Sequence, residues 1–293
     1  MTYTQFESAR KKYRDQLTTF YAIFGAILAS LLIFSFIGGG IFGAIFLFGF
    51  VIFPLMMIPL ALFHILSNKT RNAYKKAYKS YFVDAALKQV FTNYTYRHDA
   101  GLPSALASAD GMFNTGDRYA SNDYITGHYH ETSFAQADIH VQKRRRDRNN
   151  QTYYTTLFKG RFLIFEFKKS LNLRLLVVGN DFHNYHLPTK KFGKIKLESQ
   201  KFNQTFRVYA EDGFEAFYIL DPAFMERVMS LGEMHHGKIF LAFIQNRLYV
   251  AINDGKDSLE PPSPLKKLDQ EAEIQKVSSD IRLLTDIVDN LKI

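Results

Sequence analysis

The chain has 293 residues, no cysteine and no tryptophan, and a formal net charge of +9 from 37 Lys and Arg against 28 Asp and Glu. Without a thiol it can build no disulfide framework, thiolate metal site or cysteine nucleophile. The basic excess favours anionic partners, among which lipid head groups stand nearest for a chain that carries a membrane segment.

In chain order, residues 1–18 read as a cytosolic N-terminal segment, with Phe6, Tyr13 and Leu17 set among charges in a short helix. Phe20 to Leu66 then contains no Asp, Glu, Lys or Arg. A spanning helix needs about 20 apolar residues, so residues 19–66 predict a transmembrane hairpin. Its spans are 19–37 and 42–66, turning at Gly38-Gly39-Gly40, with Pro54 and Pro59 kinking the second. The run is too long, and too far from the start, for a signal-peptide core. Arg10, Lys11, Lys12 and Arg14 precede it, and Lys69, Arg71, Lys75, Lys76 and Lys79 follow. Cationic flanks on both sides predict a cell-membrane protein with both termini cytoplasmic.

Residues 67–92 predict a juxtamembrane helix, with Tyr74, Tyr78, Tyr81, Ala85 and Leu87 near one face and lysines opposite. Residues 93–266 predict a cytosolic α+β domain. Gly101, Pro103, Gly111, Gly116 and Asn122 punctuate its start. Tyr124 to Thr132 and Ala135 to Lys143 read as strands, the second through the alternation of Ala137, Ile139 and Val141 with polar neighbours. Lys143 to Asn150 reads as an exposed hairpin loop. Leu157 to Phe167 is apolar on both faces and reads as a central strand. Further strands are expected at Leu173 to Val178, at Lys194 to Glu198, around Val208, and in a hairpin of Ile239 to Ile244 with Leu248 to Ile252. Asp221-Pro222 marks a helix start. Pro261, Pro262 and Pro264 read as a stiff linker. Residues 267–293 predict a C-terminal amphipathic helix, with Ile274, Val277, Ile281, Leu284 and Leu291 at three- and four-residue spacing. The fold class expected is therefore α+β: a two-helix transmembrane hairpin, then a mainly antiparallel cytosolic sheet with packed helices and a C-terminal amphipathic helix docked on the sheet or on the second helical region, with self-association through that helix as the alternative.

Candidate chemistry is sparse. The chain has no phosphate-cradling glycine loop, no His-Glu-x-x-His and no nucleophile elbow, so no cofactor is expected. His128 and His130 share a strand face and His140 lies on the next strand, a weak metal-ligand set. Asp110, Asp117 and Asp123 surround turn-forming glycines and suit turn caps better than acid–base work. Lys143, Arg144, Arg145, Arg146 and Arg148 form a basic run, read as a solvated loop, with contact to anionic lipid as the functional alternative. Nucleic acid is disfavoured, because Tyr153 and Tyr154 could stack bases but no recognised RNA-binding motif accompanies them.

The second half resembles the bacterial membrane-protein family called domain of unknown function 3137. The resemblance rests on Asp123-Tyr124-Ile125-Thr126-Gly127, Phe158-Lys159-Gly160-Arg161-Phe162 and Leu197-Glu198-Ser199 with Phe202, Phe206, Val208 and Tyr209. Its strongest stretch runs from Glu215 to Arg227, and Phe243 with Asn246 to Ile252 completes it. It implies a bacterial cell-membrane protein and brings no activity or catalytic residue. Gly127 and Gly160 read as bulges or close backbone approaches. Glu198 and Glu215, charged among apolar neighbours, read as candidate buried carboxylates, with Arg207 or Arg227 as partners.

The function expected from these features is a membrane-anchored interaction or scaffolding module. Its amphipathic terminal helix would recruit a protein partner or a second copy of the chain. Binding of anionic lipid or another ligand is the alternative, and an enzyme with an unrecognised site comes third.

Overall fold

In the computed structural model the described residues are 1–47, 53–167, 174–189 and 191–291; the side chains of 31–32, 34–61, Glu215, Tyr218 and 290–291 lie outside that description. The chain divides into two compact units, residues 1–83 with 260–273 and residues 84–259 with 274–293.

The first unit is built on helices α1 (Tyr3–Leu47) and α2 (Phe53–Tyr78), the latter running into a π-helical turn, Lys79–Val83. The two helices are antiparallel. Phe20 stacks on Phe63 at 4.0 Å, the Thr70 hydroxyl donates to Gln16 at 2.5 Å, and Phe6 lies 5.9 Å from Tyr74. The buried rings of Phe6, Tyr74, Tyr78 and Phe82 form an aromatic core at the charged end of the pair. The proline stretch expected as a linker is a strap bound to these helices. Tyr74 donates to the Pro262 carbonyl at 3.0 Å, Arg10 to the Lys266 carbonyl at 2.6 Å, and Tyr78 to Glu273 at 2.6 Å. Lys75 and Lys79 both pair with Glu260. Burial pushes that carboxyl up, but the two ammonium groups overcome it and hold it below its usual value.

The expected transmembrane hairpin is not supported. Among the described residues no helix is long and apolar enough to cross a membrane. The two-span anchor, the cell-membrane location and the cytoplasmic placement of both termini lose their basis with it. Charge enters both helices: α1 carries Glu7, Arg10, Lys11, Lys12, Arg14 and Asp15 near its start, and α2 carries Lys69, Arg71, Lys75 and Lys76 near its end. Nor does the chain turn at Gly38-Gly39-Gly40, since α1 continues through them to Leu47. The rest of the expected second span lies mainly outside the described side chains.

The second unit opens with α3 (Asp84–Val90), which takes the place of the end of the expected juxtamembrane helix. Its strands are β1 (Tyr94–Arg97), β2 (Arg118–Tyr129), β3 (Thr132–Arg146), β4 (Thr152–Glu166), β5 (Arg174–Gly179), β6 (Gly193–Ile195), β7 (Phe206–Ala210), β8 (Ile239–Ile244) and β9 (Arg247–Ile252). Between them lie α4 (Ser104–Ala107), α5 (Gln200–Thr205), α6 (Gly213–Ile219) and α7 (Pro222–Met234), and α8 (Gln270–Leu291) ends the chain. Among the described residues the strands form one nine-stranded sheet, ordered β1-β2-β3-β4-β9-β8-β5-β7-β6. Every neighbouring pair is antiparallel, as expected from the sequence.

Alternation sorts the strand residues onto two faces. One face carries Ala137, Ile139, Val141, Phe158, Phe162, Leu176, Val178, Phe240 and Ala251, covered by the 102–113 segment and by Phe182 and Phe192. Phe113 sits at its centre, edge-on to Phe158 at 5.1 Å and Phe162 at 4.9 Å. The other face carries Leu163, Phe165, Val177, Leu241, Phe243 and Val250. There Phe224 of α7 meets Phe243 edge-on at 5.9 Å. α8 buries Val277, Ile281, Leu284, Ile287 and Val288, and its Asp280 carbonyl accepts from Arg161 at 2.5 Å. The terminal helix is therefore core. At Gly160 a Cβ would lie 2.0 Å from the Ile252 carbonyl oxygen, so only glycine lets β9 and the following turn pass so close.

Candidate functional site

Two polar constructions stand out in the sheet unit, one buried and one exposed. The buried one starts at a register break in β2 between Asn122 and Ile125. There Asp123 takes the left-handed backbone region, φ +56°, which aspartate tolerates better than most residues. Its carboxylate accepts from the Tyr96 hydroxyl at 2.5 Å and from the Asn122 amide at 2.6 Å. Asp138, on β3, stands between Asn122 of β2 and Arg161 of β4 and is only 4% exposed. It accepts from the Ser258 N–H at 3.0 Å. Asp257, in the loop after β9, faces both: one of its carboxylate oxygens lies within 4.8 Å of one from Asp123.

Burial, then the hydrogen bond to Asp257, then the charges of Asp257 and Asp123, push the Asp138 carboxyl well above the usual carboxylate range, against the pull of the Ser258 N–H. A buried carboxyl facing two others favours its neutral form. An all-oxygen donor set suits a hard cation. Here, however, Tyr96, Asn122 and Ser258 already occupy lone pairs of Asp123 and Asp138. The cluster is a buried brace: the Ser258 N–H bond to Asp138 ties the loop after β9 to β3.

The exposed construction is the end of the β3–β4 hairpin. The expected basic loop is instead strand: Lys143, Arg144, Arg145 and Arg146 pair with Thr155, Tyr154, Tyr153 and Thr152. Consecutive cations facing tyrosine and threonine across the pair suit a solvated two-stranded ribbon, which the sequence run disguised as a loop. Only Asp147 to Gln151 turn. The Asp147 carboxylate accepts from the N–H groups of Asn149 at 2.9 Å and Gln151 at 2.8 Å, and Asn150 adopts φ +61°. The Asp117 carboxylate hooks the ribbon at its base by accepting from the Arg144 N–H at 2.8 Å.

Register places Arg118, Arg144, Arg146 and Tyr154 on one ribbon face and Lys143, Arg145 and Tyr153 on the other. The Arg118 guanidinium stacks 3.9 Å from the Tyr154 ring centre. Tyr153 and Tyr154 remain 48% and 39% exposed.

The other sequence candidates do not converge. His128 pairs with Ser133 in the β2–β3 register, while His140 lies seven positions further along β3, about 23 Å away. His130 sits in the turn, 3.7 Å from Asp289, and His140 bonds Thr156 at 2.9 Å. The three histidines therefore form no metal site. Glu198 is exposed beside the buried Leu197, so the expected buried carboxylate is not there. The Glu215 side chain lies outside the described residues. Arg207 instead donates to the carbonyls of Gly179, Asn180 and Phe182, and Arg227 lies 5.9 Å from the Phe224 ring. Asp110 pairs with Arg174.

Asp138 and Asp257 were not singled out by sequence. The one available signal was that β3 lies beside a strand apolar on both faces, so its polar positions cannot all face water.

No curated protein matches the chain. Among solved structures, one titled "crystal structure of the mycobacterial trehalose monomycolate transport factor A, TtfA" is similar at 9% identity and a TM-score of 0.36, over 74% of this chain and 97% of that one. A likeness that faint supports no assignment of function. Residues 156–293 match the family described as "Protein of unknown function (DUF3137)". The match begins inside β4 and so leaves out the Asp123 to Gly127 stretch, and it carries neither a membrane location nor a bacterial source. The chain is thus similar to this DUF3137 family over residues 156–293, a little under half of its length.

Proposed function

We propose that the protein is a non-catalytic interaction module that grips a polyanionic partner with the β3–β4 ribbon. One observation carries this reading. The ribbon extends beyond the packed sheet and presents Lys143, Arg144, Arg145 and Arg146 as exposed residues on paired strands, opposite Thr152, Tyr153, Tyr154 and Thr155. Its two acidic neighbours, Asp117 and Asp147, are engaged with backbone N–H groups, which holds the ribbon's shape. Fixed arginines lose less entropy on meeting oxyanions than mobile ones, and the guanidinium fork binds them in two places. The expected recruitment through the terminal helix loses its motivation, since α8 buries its apolar face within the protein's own core.

The test is retention of the full chain on immobilised heparin, used as a generic polyanion. Replacing Lys143, Arg144, Arg145, Arg146 and Arg148 together by glutamine should move elution to much lower salt. Elution at the parent's salt concentration would place the binding elsewhere and sink the reading.

A further inference from the structure

The ribbon's two faces identify the kind of polyanion. A flat anionic surface meets one face of a ribbon lying on it, so cations on the far face contribute little. Here basic and aromatic residues occupy both faces at equal register: Arg144, Arg146 and Tyr154 on one, Lys143, Arg145 and Tyr153 on the other. A partner that uses both must have two walls. The major groove of duplex nucleic acid is such a partner, about 12 Å wide and lined on each side by phosphates, and it admits a two-stranded β-ribbon. Standing edge-on in the groove, the ribbon sends side chains from its two faces toward the two walls, and its two strands, about 4.8 Å apart, lie along a depth of about 8.5 Å. The paired positions from Lys143 to Arg146 span about 10 Å, the rise of roughly three base pairs.

We infer that the β3–β4 ribbon docks in the major groove of duplex nucleic acid, its arginines reaching both phosphate walls and guanine edges on the groove floor.

The bias of the run toward arginine over lysine fits this occupant. The guanidinium fork matches both phosphate oxygens and the N7/O6 edge of guanine, which a lysine ammonium meets only as a point charge. Arg118 extends the basic row at the ribbon's base, where it is stacked on Tyr154. The turn, Asp147 to Gln151, adds the exposed Arg148 at the ribbon's tip.

This inference rests on the polyanion reading above, and the experiment separates the two. Fluorescence anisotropy of a labelled mixed-sequence 20-base-pair DNA duplex is measured with the full chain from low to moderate salt. Alkylation of guanine N7, which lies in the major groove, is mapped on the same duplex. Binding should weaken steeply with salt, and N7 protection should cover about three to four base pairs per bound chain. Arg144→Gln, Arg145→Gln and Arg146→Gln together should make the log–log salt slope shallower by about 2.7, at about 0.9 for each phosphate no longer neutralised. The same positions changed to lysine should restore the slope but not the N7 protection.

All of these side chains are exposed, so the variants should keep the parent's thermal transition; a shifted transition would be met by reading the lysine variant instead. Duplex binding without N7 protection, or binding unchanged in the glutamine variant, overturns the groove. So does sedimentation with phosphatidylserine vesicles when no duplex is bound, a result that leaves the polyanion module standing. Binding to neither duplex, vesicles nor heparin removes both readings.

Discussion

Replacing Asp138 by asparagine tests the buried carboxyl pair. The Asp138 carboxyl is raised well above its ordinary 3.8, first by burial and then by the hydrogen bond to Asp257. A carboxyl whose folded pKa exceeds its unfolded value contributes stability that is complete below the unfolded pKa. That contribution is lost as pH rises through the folded one. The parent protein should therefore lose stability on going from mildly acidic to alkaline solution, as the Asp138 carboxyl loses its proton. The amide of Asp138→Asn has no proton to lose. Its carbonyl oxygen can keep the bond from the Ser258 N–H, and its NH2 can donate to Asp257.

A buried polar group left without its partner costs about 1–3 kcal/mol, more when charged. Asp138→Asn should therefore be more stable than the parent by about 1–3 kcal/mol at pH 8. For a unit of this size that is about 2–12 °C in the unfolding midpoint. The two proteins should converge near pH 4. Urea unfolding of the full chain, followed by circular dichroism of the sheet across this range, reads the difference. A control, Asp138→Ala, removes the acceptor of Ser258 and should be less stable than the parent at both pH values. If Asp138→Asn were instead the less stable protein at pH 8 and unchanged at pH 4, Asp138 would be ionised in the fold and the case for its neutral form would fail.

Two other changes probe what holds the sheet unit together. Gly160→Ala sets a methyl group 2.0 Å from the Ile252 carbonyl oxygen, so β4 and β9 must separate; a loss of about 1–3 kcal/mol or more in urea unfolding is expected. Ending the chain at Glu273 removes Val277, Ile281, Leu284, Ile287 and Val288, all buried. At about 1.5–3 kcal/mol each, their loss is on the order of the whole stability of a domain. The shortened chain should lack a cooperative transition, and a soluble product with the parent's dichroism would show α8 to be an appendage.

Much of the sheet could be read from period alone. β8 and β9 fall where the paired apolar runs around Gln245-Asn246-Arg247 put them, and β4 is central because both of its faces are apolar. Asp221-Pro222 opens α7 as expected, with the Asp221 carboxylate accepting from the Phe224 N–H at 2.6 Å. What failed to show were features that depend on partners distant in sequence. The 261–264 prolines look like a linker until Tyr74 is found bonded to the Pro262 carbonyl, 188 positions away. The charge-free run suggested two spans, but composition alone does not say where a helix begins, and α1 carries its charged first turns and the three glycines in one continuous element.

The two polar constructions show why legibility differs within a single strand. β3 contributes both, Asp138 near its middle and Arg144 near its end. The sequence alternates polar and apolar as far as Val141 and is polar throughout from Gln142 to Arg146, so Asp138 reads as an outward strand position and Arg144 as loop. Alternation reports only which of two faces a side chain takes, not whether that face is covered. At Asp138, flanked by β2 and β4 with α8 on the same face as Arg161, the outward position is inside the protein, and burial there pushes the carboxyl above its usual range. At Arg144 the rest of the sheet has ended, only β4 remains beside it, and the same outward position is in water. The difference between a brace and a contact surface is thus set by how many strands run alongside. That number comes from the topology of the whole sheet, which no window of sequence contains.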